Sequence, residues 1–237
     1  MKIALLGYGK MGREVEKIAI EHGHLIALTF NDENDWKEKA GQLKDCDVAI
    51  EFSMPEMVVE NIHKCFEAGI PVVVGTTGWY DQFHQISDQC ISSSNTLFYA
   101  TNFSIGVNIF SDINRRLASL LEDYPMYLPA MVEIHHIQKL DAPSGTAISL
   151  AKDIITANSR FTKFTTEGAQ ADGIPVQSVR EGNVTGTHTI TWKSDIDQIT
   201  ITHEAFNRRG FALGAVMAAS WVLNRKGVFT MKDMLNL

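Results

Sequence analysis

KIALLGYGKMG, residues 2–12, decides the fold. Five largely apolar residues run into three glycines at the spacing G-x-G-x-x-G, and Met11, Val15, Ile18 and Ala19 then recur at helical spacing through Glu21. Strand, tight turn and helix follow. Such a turn lets the backbone approach a pyrophosphate, and the free N–H groups at the helix start face its charge. Gly7, Tyr8, Gly9, Lys10, Met11 and Gly12 are therefore candidate contacts for a dinucleotide.

The same alternation continues outward. Apolar runs at 24–30, 46–52, 70–75 and 96–100 are separated by helical segments after Pro55 and from about Asp81. This predicts an α/β fold with a Rossmann-like, doubly wound parallel sheet. Ligands of such sheets gather at the carboxyl ends of the strands. Asn31 and Asp32 stand at the end of the second, where an acid would hold the adenosine ribose, although an Asn-Asp pair also suits an ordinary turn. Lys10 and Arg13 are alternative partners for a 2′-phosphate, so NADH and NADPH both remain open. Phe52 and Ser53, then Gly75, Thr76 and Thr77, then Ala100, Thr101, Asn102 and Phe103 occupy the next three strand ends.

The pattern changes after Ser104. A helix through Leu121 leads to YLPAMVEIHHIQ, then to a helix from Gly145 with Ala147, Leu150, Ala151, Ile154 and Ile155 on one face. Residues 158–183 lack clear periodicity and read as loop with a short edge strand; 187–203 alternate about a turn and read as a hairpin. An apolar helix from about Phe211 to Leu223 has too little polar face to stand alone, so it is expected to pack back on the first domain. The predicted division is 1–104 plus 206–237 for the dinucleotide and 105–205 for an α+β domain.

Composition narrows the function. Among 237 residues, 45% are hydrophobic and the formal net charge is −7, which argues against nonspecific affinity for nucleic acid or anionic membrane. No apolar run is long enough to span a bilayer and no signal peptide is apparent. Cys46, Cys65 and Cys90 have neither disulfide nor zinc spacing, as expected of reduced thiols in a cytoplasmic protein.

EIHHIQKLDAPSGTA, residues 133–147, carries the chemistry. If the first part is extended, His135, Ile137 and Lys139 share one face and His136 and Gln138 the other, so the histidines have different tasks. No further ligands at recognisable spacing suggest a metal. Ser144 suits a helix N-cap, and Gly145 and Thr146 would then present unpaired N–H groups to an anion such as a carboxylate.

This segment, with GYGKMG, VVVGTTG, YATNFSIGVN, SVREGNVTGTH and ITHEAFNRRGFALGA, resembles the dihydrodipicolinate reductases over nearly the whole chain. The resemblance implies NAD(P)H-dependent reduction of 4-hydroxy-tetrahydrodipicolinate to tetrahydrodipicolinate with loss of water, in the diaminopimelate route to lysine. It also implies that His135 is the acid, that Lys139 and His136 bind substrate, and that Gly145 and Thr146 hold a carboxylate. The position matching the family's ribose-binding acid is Asn31, with Asp32 one step along. A homotetramer assembled through the second domain's sheet is implied too. The rival readings are a different nicotinamide oxidoreductase on a two-domain frame and a dinucleotide-binding regulator without turnover, and the histidine pair beside an anion-binding helix start disfavours the regulator.

Overall fold

The computed structural model describes residues 1–168 and 170–237. The chain divides into two compact units, Met1–Ile105 with Arg209–Leu237, and Gly106–Arg208.

The first unit winds six strands, β1 (Lys2–Leu6), β2 (Leu25–Phe30), β3 (Val48–Glu51), β4 (Val72–Val74), β5 (Thr96–Tyr99) and β11 (Gly227–Phe229), into one parallel sheet. Its order, β11-β5-β4-β3-β1-β2, reverses direction at β1. Alternate side chains of β1 serve opposite layers. Ile3 and Leu5 pack with α1 (Lys10–Glu21) and α7 (Arg209–Trp221), whereas Ala4 and Leu6 pack with α3 (Pro55–Ala68) and α4 (Phe83–Ser92). The late helix thus packs on the first sheet. Its small residues permit close approach: a Cβ on Gly214 would strike the carbonyl of Phe103. The short α2 (Glu33–Lys39) and the closing α8 (Met231–Leu235) were not anticipated. The three cysteines are buried and free, and burial pushes the Cys65 and Cys90 thiols up, Cys90 to about 11.

The second unit sets α5 (Ile105–Leu120, all but its first residue) and α6 (Gly145–Ala157) against a five-stranded mixed sheet. The strands are β6 (Leu128–His135), β7 (Lys163–Thr165), β8 (Gly173–Arg180), β9 (Gly186–Lys193) and β10 (Gln198–Ala205), in the order β10-β9-β6-β8-β7. The hairpin is present. Over 158–183, expected as loop with a short edge strand, β7 is such an edge strand, but β8 is an eight-residue interior strand, parallel to β6. Its alternation is masked in the sequence because its inward series, Ile174, Val176, Ser178, Arg180, turns from apolar to polar halfway along. Met131 of β6 faces Val176, and Glu133 faces Ser178. No helix among the described residues is long and apolar enough to cross a membrane.

Candidate active site

The glycine turn is built as its spacing requires. Gly7 leaves β1 at φ +92°, in the region that favours glycine, and a Cβ there would lie 2.7 Å from the Cα of Ser53. A Cβ on Gly12 would strike the Gly7 carbonyl, so that glycine seats α1 against the turn. Gly9 differs from both. It is the N-cap of α1, no side chain caps the helix, and a Cβ on it would meet nothing of the protein. The bare backbone therefore faces open space with unpaired N–H groups, a fit for a pyrophosphate.

A crevice at this switch point is lined by Gly7, Tyr8, Gly9, Asn31, Asp32 and Trp36, with Phe52 and Ser53 from the end of β3. The Asp32 carboxylate accepts from the N–H groups of Asn34 and Asp35 at 2.9 and 3.1 Å, so it caps α2 while lining the crevice. Asn31 donates its own N–H to Asp35. Lys10 is exposed, and the Met11 side chain packs on the core, leaving its backbone for any ligand. Thr77 and Thr101 are exposed, Gly75 backs onto the Phe52 ring, and Thr76 and Ala100 are buried. Asn102 accepts from the Ser104 N–H at 2.8 Å. Phe103 is 2% exposed and stacks on Phe98, so its ring is core rather than contact. Beneath the crevice lies Glu51, wholly buried, bonded to Ser53 and facing Asn61. Burial raises its carboxyl above the usual range, against those hydrogen bonds.

In the second unit β6 ends at His135, and Lys139 N–H bonds the His136 carbonyl across a turn. The extended reading of EIHHIQK is thereby corrected: His135 belongs to the strand, while His136 and Lys139 belong to the turn. Arg180 causes the change of direction by donating to the carbonyls of Lys139 and Asp141, at 3.2 and 2.5 Å. Lys139 itself grips Asp141 through both carboxylate oxygens at 2.8 Å. Ser144 caps α6 by accepting from Ala147 N–H at 3.1 Å. Gly145 is exposed and Thr146 half-buried in the first turn, as an anion seat requires.

Sheet register then assembles residues that sequence reasoning missed. A row across β8, β6, β9 and β10 places Ser178, Glu133, His188 and His203 side by side, and the next row pairs Arg180 with His135. Glu133, His135 and His188 are all buried. The ring of His135 lies 5.2 Å from that of His188 and against Gly186, where a Cβ would come within 2.8 Å of it. Burial pulls the His135 pKa down; Glu133 and the Thr185 carbonyl oppose this, while Lys139 and Arg180 add to it. Burial, with His135 beside it, takes His188 down to about 4, so it is neutral near pH 7. Burial also disfavours ionised Glu133, but hydrogen bonds from Ser144 and Ser178 outweigh it and hold this carboxyl below its ordinary range.

Among the described residues, Glu133, His135 and His188 are the group whose donor atoms approach within 4.8 Å of one another, as a metal would require. Glu133 takes hydrogen bonds from Ser144 and Ser178 and His135 Nδ1 meets the Thr185 carbonyl, whereas His135 Nε2 and His188 Nδ1 are buried without a hydrogen-bond partner. The arrangement suits proton transfer beside a carboxylate seat.

Two family models match, dihydrodipicolinate reductase, N-terminus, over residues 1–103 and dihydrodipicolinate reductase, C-terminus, over 106–235. The chain is 45% identical to the 4-hydroxy-tetrahydrodipicolinate reductase of Christiangramia forsetii, an alignment covering 100% of this chain and 98% of that one. Identity to the Rickettsia bellii reductase of the same name is 34%, covering 95% and 90%. Among solved structures, the dipicolinate-bound dihydrodipicolinate reductase of Paenisporosarcina sp. TG-14 shares the fold, with TM-score 0.80 over 99% of both chains at 24% identity.

Proposed function

The chain belongs to the dihydrodipicolinate reductase family, and from that premise we propose how its residues divide the work. The reaction is the NAD(P)H-dependent reduction of 4-hydroxy-tetrahydrodipicolinate to tetrahydrodipicolinate, with loss of water, in lysine and diaminopimelate biosynthesis. NADH or NADPH supplies the hydride. Gly7 to Gly12 bind its pyrophosphate, Asn31 and Asp32 its adenosine ribose, and the loops from Phe52, Gly75 and Ala100 its remaining length. His135 supplies the proton that balances the hydride. Lys139, His136 and the Gly145–Thr146 turn hold the substrate's carboxylates, each charged hydrogen bond contributing about 1.5 to 3 kcal/mol.

The observation that carries this division is the Glu133 contact with both His135 and Ser144, which fixes proton donor and anion seat on one scaffold. Before substrate arrives, Asp141 occupies Lys139 as a carboxylate would. Substrate exchanges for it. A spectrophotometric assay of NADH and NADPH oxidation with freshly made 4-hydroxy-tetrahydrodipicolinate tests the activity directly; absence of turnover with either coenzyme would refute it.

We further propose a cytoplasmic homotetramer. The sheet face opposite α5 and α6 carries Leu128, Ala130, Val132 and Ile134 beside Thr187, Thr189 and Thr191, a largely β-branched surface suited to a second copy. Light scattering should return four times the 26.4 kDa of one chain; a monomer would contradict this.

A further inference from the structure

The carboxylate of Glu133 is completely buried, yet it reaches four elements. It accepts from Ser144 N–H at the start of α6 (3.0 Å) and from the Ser178 hydroxyl on β8 (2.7 Å). Arg180 stands 3.5 Å away, also on β8, and His188 of β9 lies 3.7 Å from its other oxygen. His135, two residues along its own strand, places Nε2 at 3.4 Å from that same oxygen.

Donor chemistry says where the hydrogens lie. The Thr185 carbonyl can only accept, so the His135 Nδ1 at 3.2 Å carries hydrogen. In a neutral ring Nε2 is then a lone pair, buried, without a hydrogen-bond partner and 3.4 Å from the carboxylate. Two lone pairs at that distance repel. A proton on Nε2 converts the contact into a charge-assisted pair, so Glu133 favours the state in which His135 has a proton to give. The other groups facing the ring act the opposite way or are neutral: Lys139 from the turn, Arg180 from β8, and His188 from β9, itself flanked by His203 of β10.

We propose that Glu133 is the positioning residue of this reaction, a single buried carboxylate that sets the charge of His135 and at the same time anchors Ser144, the N-cap directly before the substrate's anion seat. This rests on the reading of His135 as proton donor. Glu133 is not consumed: a proton from solvent restores His135 at the end of each turnover.

Glu133→Gln tests it, because the amide oxygen still accepts from Ser144 and Ser178 while the charge is gone. In the full-length, chelator-treated protein, ¹H–¹⁵N spectra of the His135 ring should show its midpoint falling by about one pH unit or more. The limb of kcat that reports loss of this proton as pH rises should move down with it, and KM for substrate should change little. An unchanged midpoint and a superimposable profile would overturn the proposal. The wild-type spectrum is a second check should the variant not fold: the neutral ring must carry its hydrogen on Nδ1, and an Nε2–H tautomer would refute the assignment. If instead His135→Gln retained turnover while Glu133→Gln still shifted the ring's midpoint, the donor reading would fail and the Glu133 contact would stand.

Discussion

At the scale of single residues, His135 and Lys139 separate proton delivery from binding. His135→Gln should lower kcat by about a hundred- to ten-thousandfold, the range of general acid catalysis, with cofactor affinity little changed; stopped-flow and coenzyme titration measure the two apart. Lys139→Ala should chiefly raise KM, since the lysine is a carboxylate partner already spoken for by Asp141 in the free protein; an unchanged KM would mean the ammonium faces elsewhere. His135 stands out in the sequence because an imidazole pair precedes a helix N-cap, and its role as the acid comes from the family resemblance. Glu133 and His188 were not. Nothing in the strings EIH or THT announces a buried carboxylate cluster, and only the register that sets Glu133 against His188 brings them together. Two-residue alternation from His135 back to Glu133 was the one available signal.

Elements show where local reading succeeds. β1 and α1 are fixed by short-range rules, an apolar strand, three glycines and a 3.6-residue period, and they fold as predicted. β8 obeys a long-range one: Ser178 and Arg180 point inward because β6 offers Glu133 and His135 as partners, so its pattern makes sense only once the sheet exists. Ending β6 at His135 has a similar cause in the Arg180 clamp on the carbonyls of Lys139 and Asp141. The nucleotide crevice allows a prediction at this scale. Its lining includes the Asp32 carboxylate and no lysine or arginine, which suits ribose hydroxyls better than a 2′-phosphate. We expect kcat/KM to be higher with NADH than with NADPH; a preference for NADPH would place Lys10 or Arg13 at the ribose instead.

The molecule as a whole carries the cost of burying imidazoles. His188, taken down to about 4, binds a proton more readily when unfolded, so its contribution is fully present above about pH 6.5 and is lost as pH falls toward 4. His135 and His203, also lowered by burial, act with the same sign. Thermal denaturation should therefore show stability falling from pH 6.5 to 4 by up to about 3 kcal/mol from His188 alone. His188→Gln should flatten that slope, and a slope equal to wild type would show that the group is not buried neutral. The two-unit division has its own physical basis: α7 is too apolar to stand free, and it packs on the first sheet although the second unit precedes it in the chain.

Catalysis in this scheme requires a substrate carboxylate to meet the start of α6 beside His135. A crystal structure of the protein with reduced coenzyme and pyridine-2,6-dicarboxylate measures this most directly. It should show one carboxylate within hydrogen-bond reach of the Gly145 and Thr146 N–H groups, Lys139 released from Asp141 onto the ligand, and the His135 ring against it. A ligand bound away from that turn, with the Lys139–Asp141 pair intact, would contradict the account.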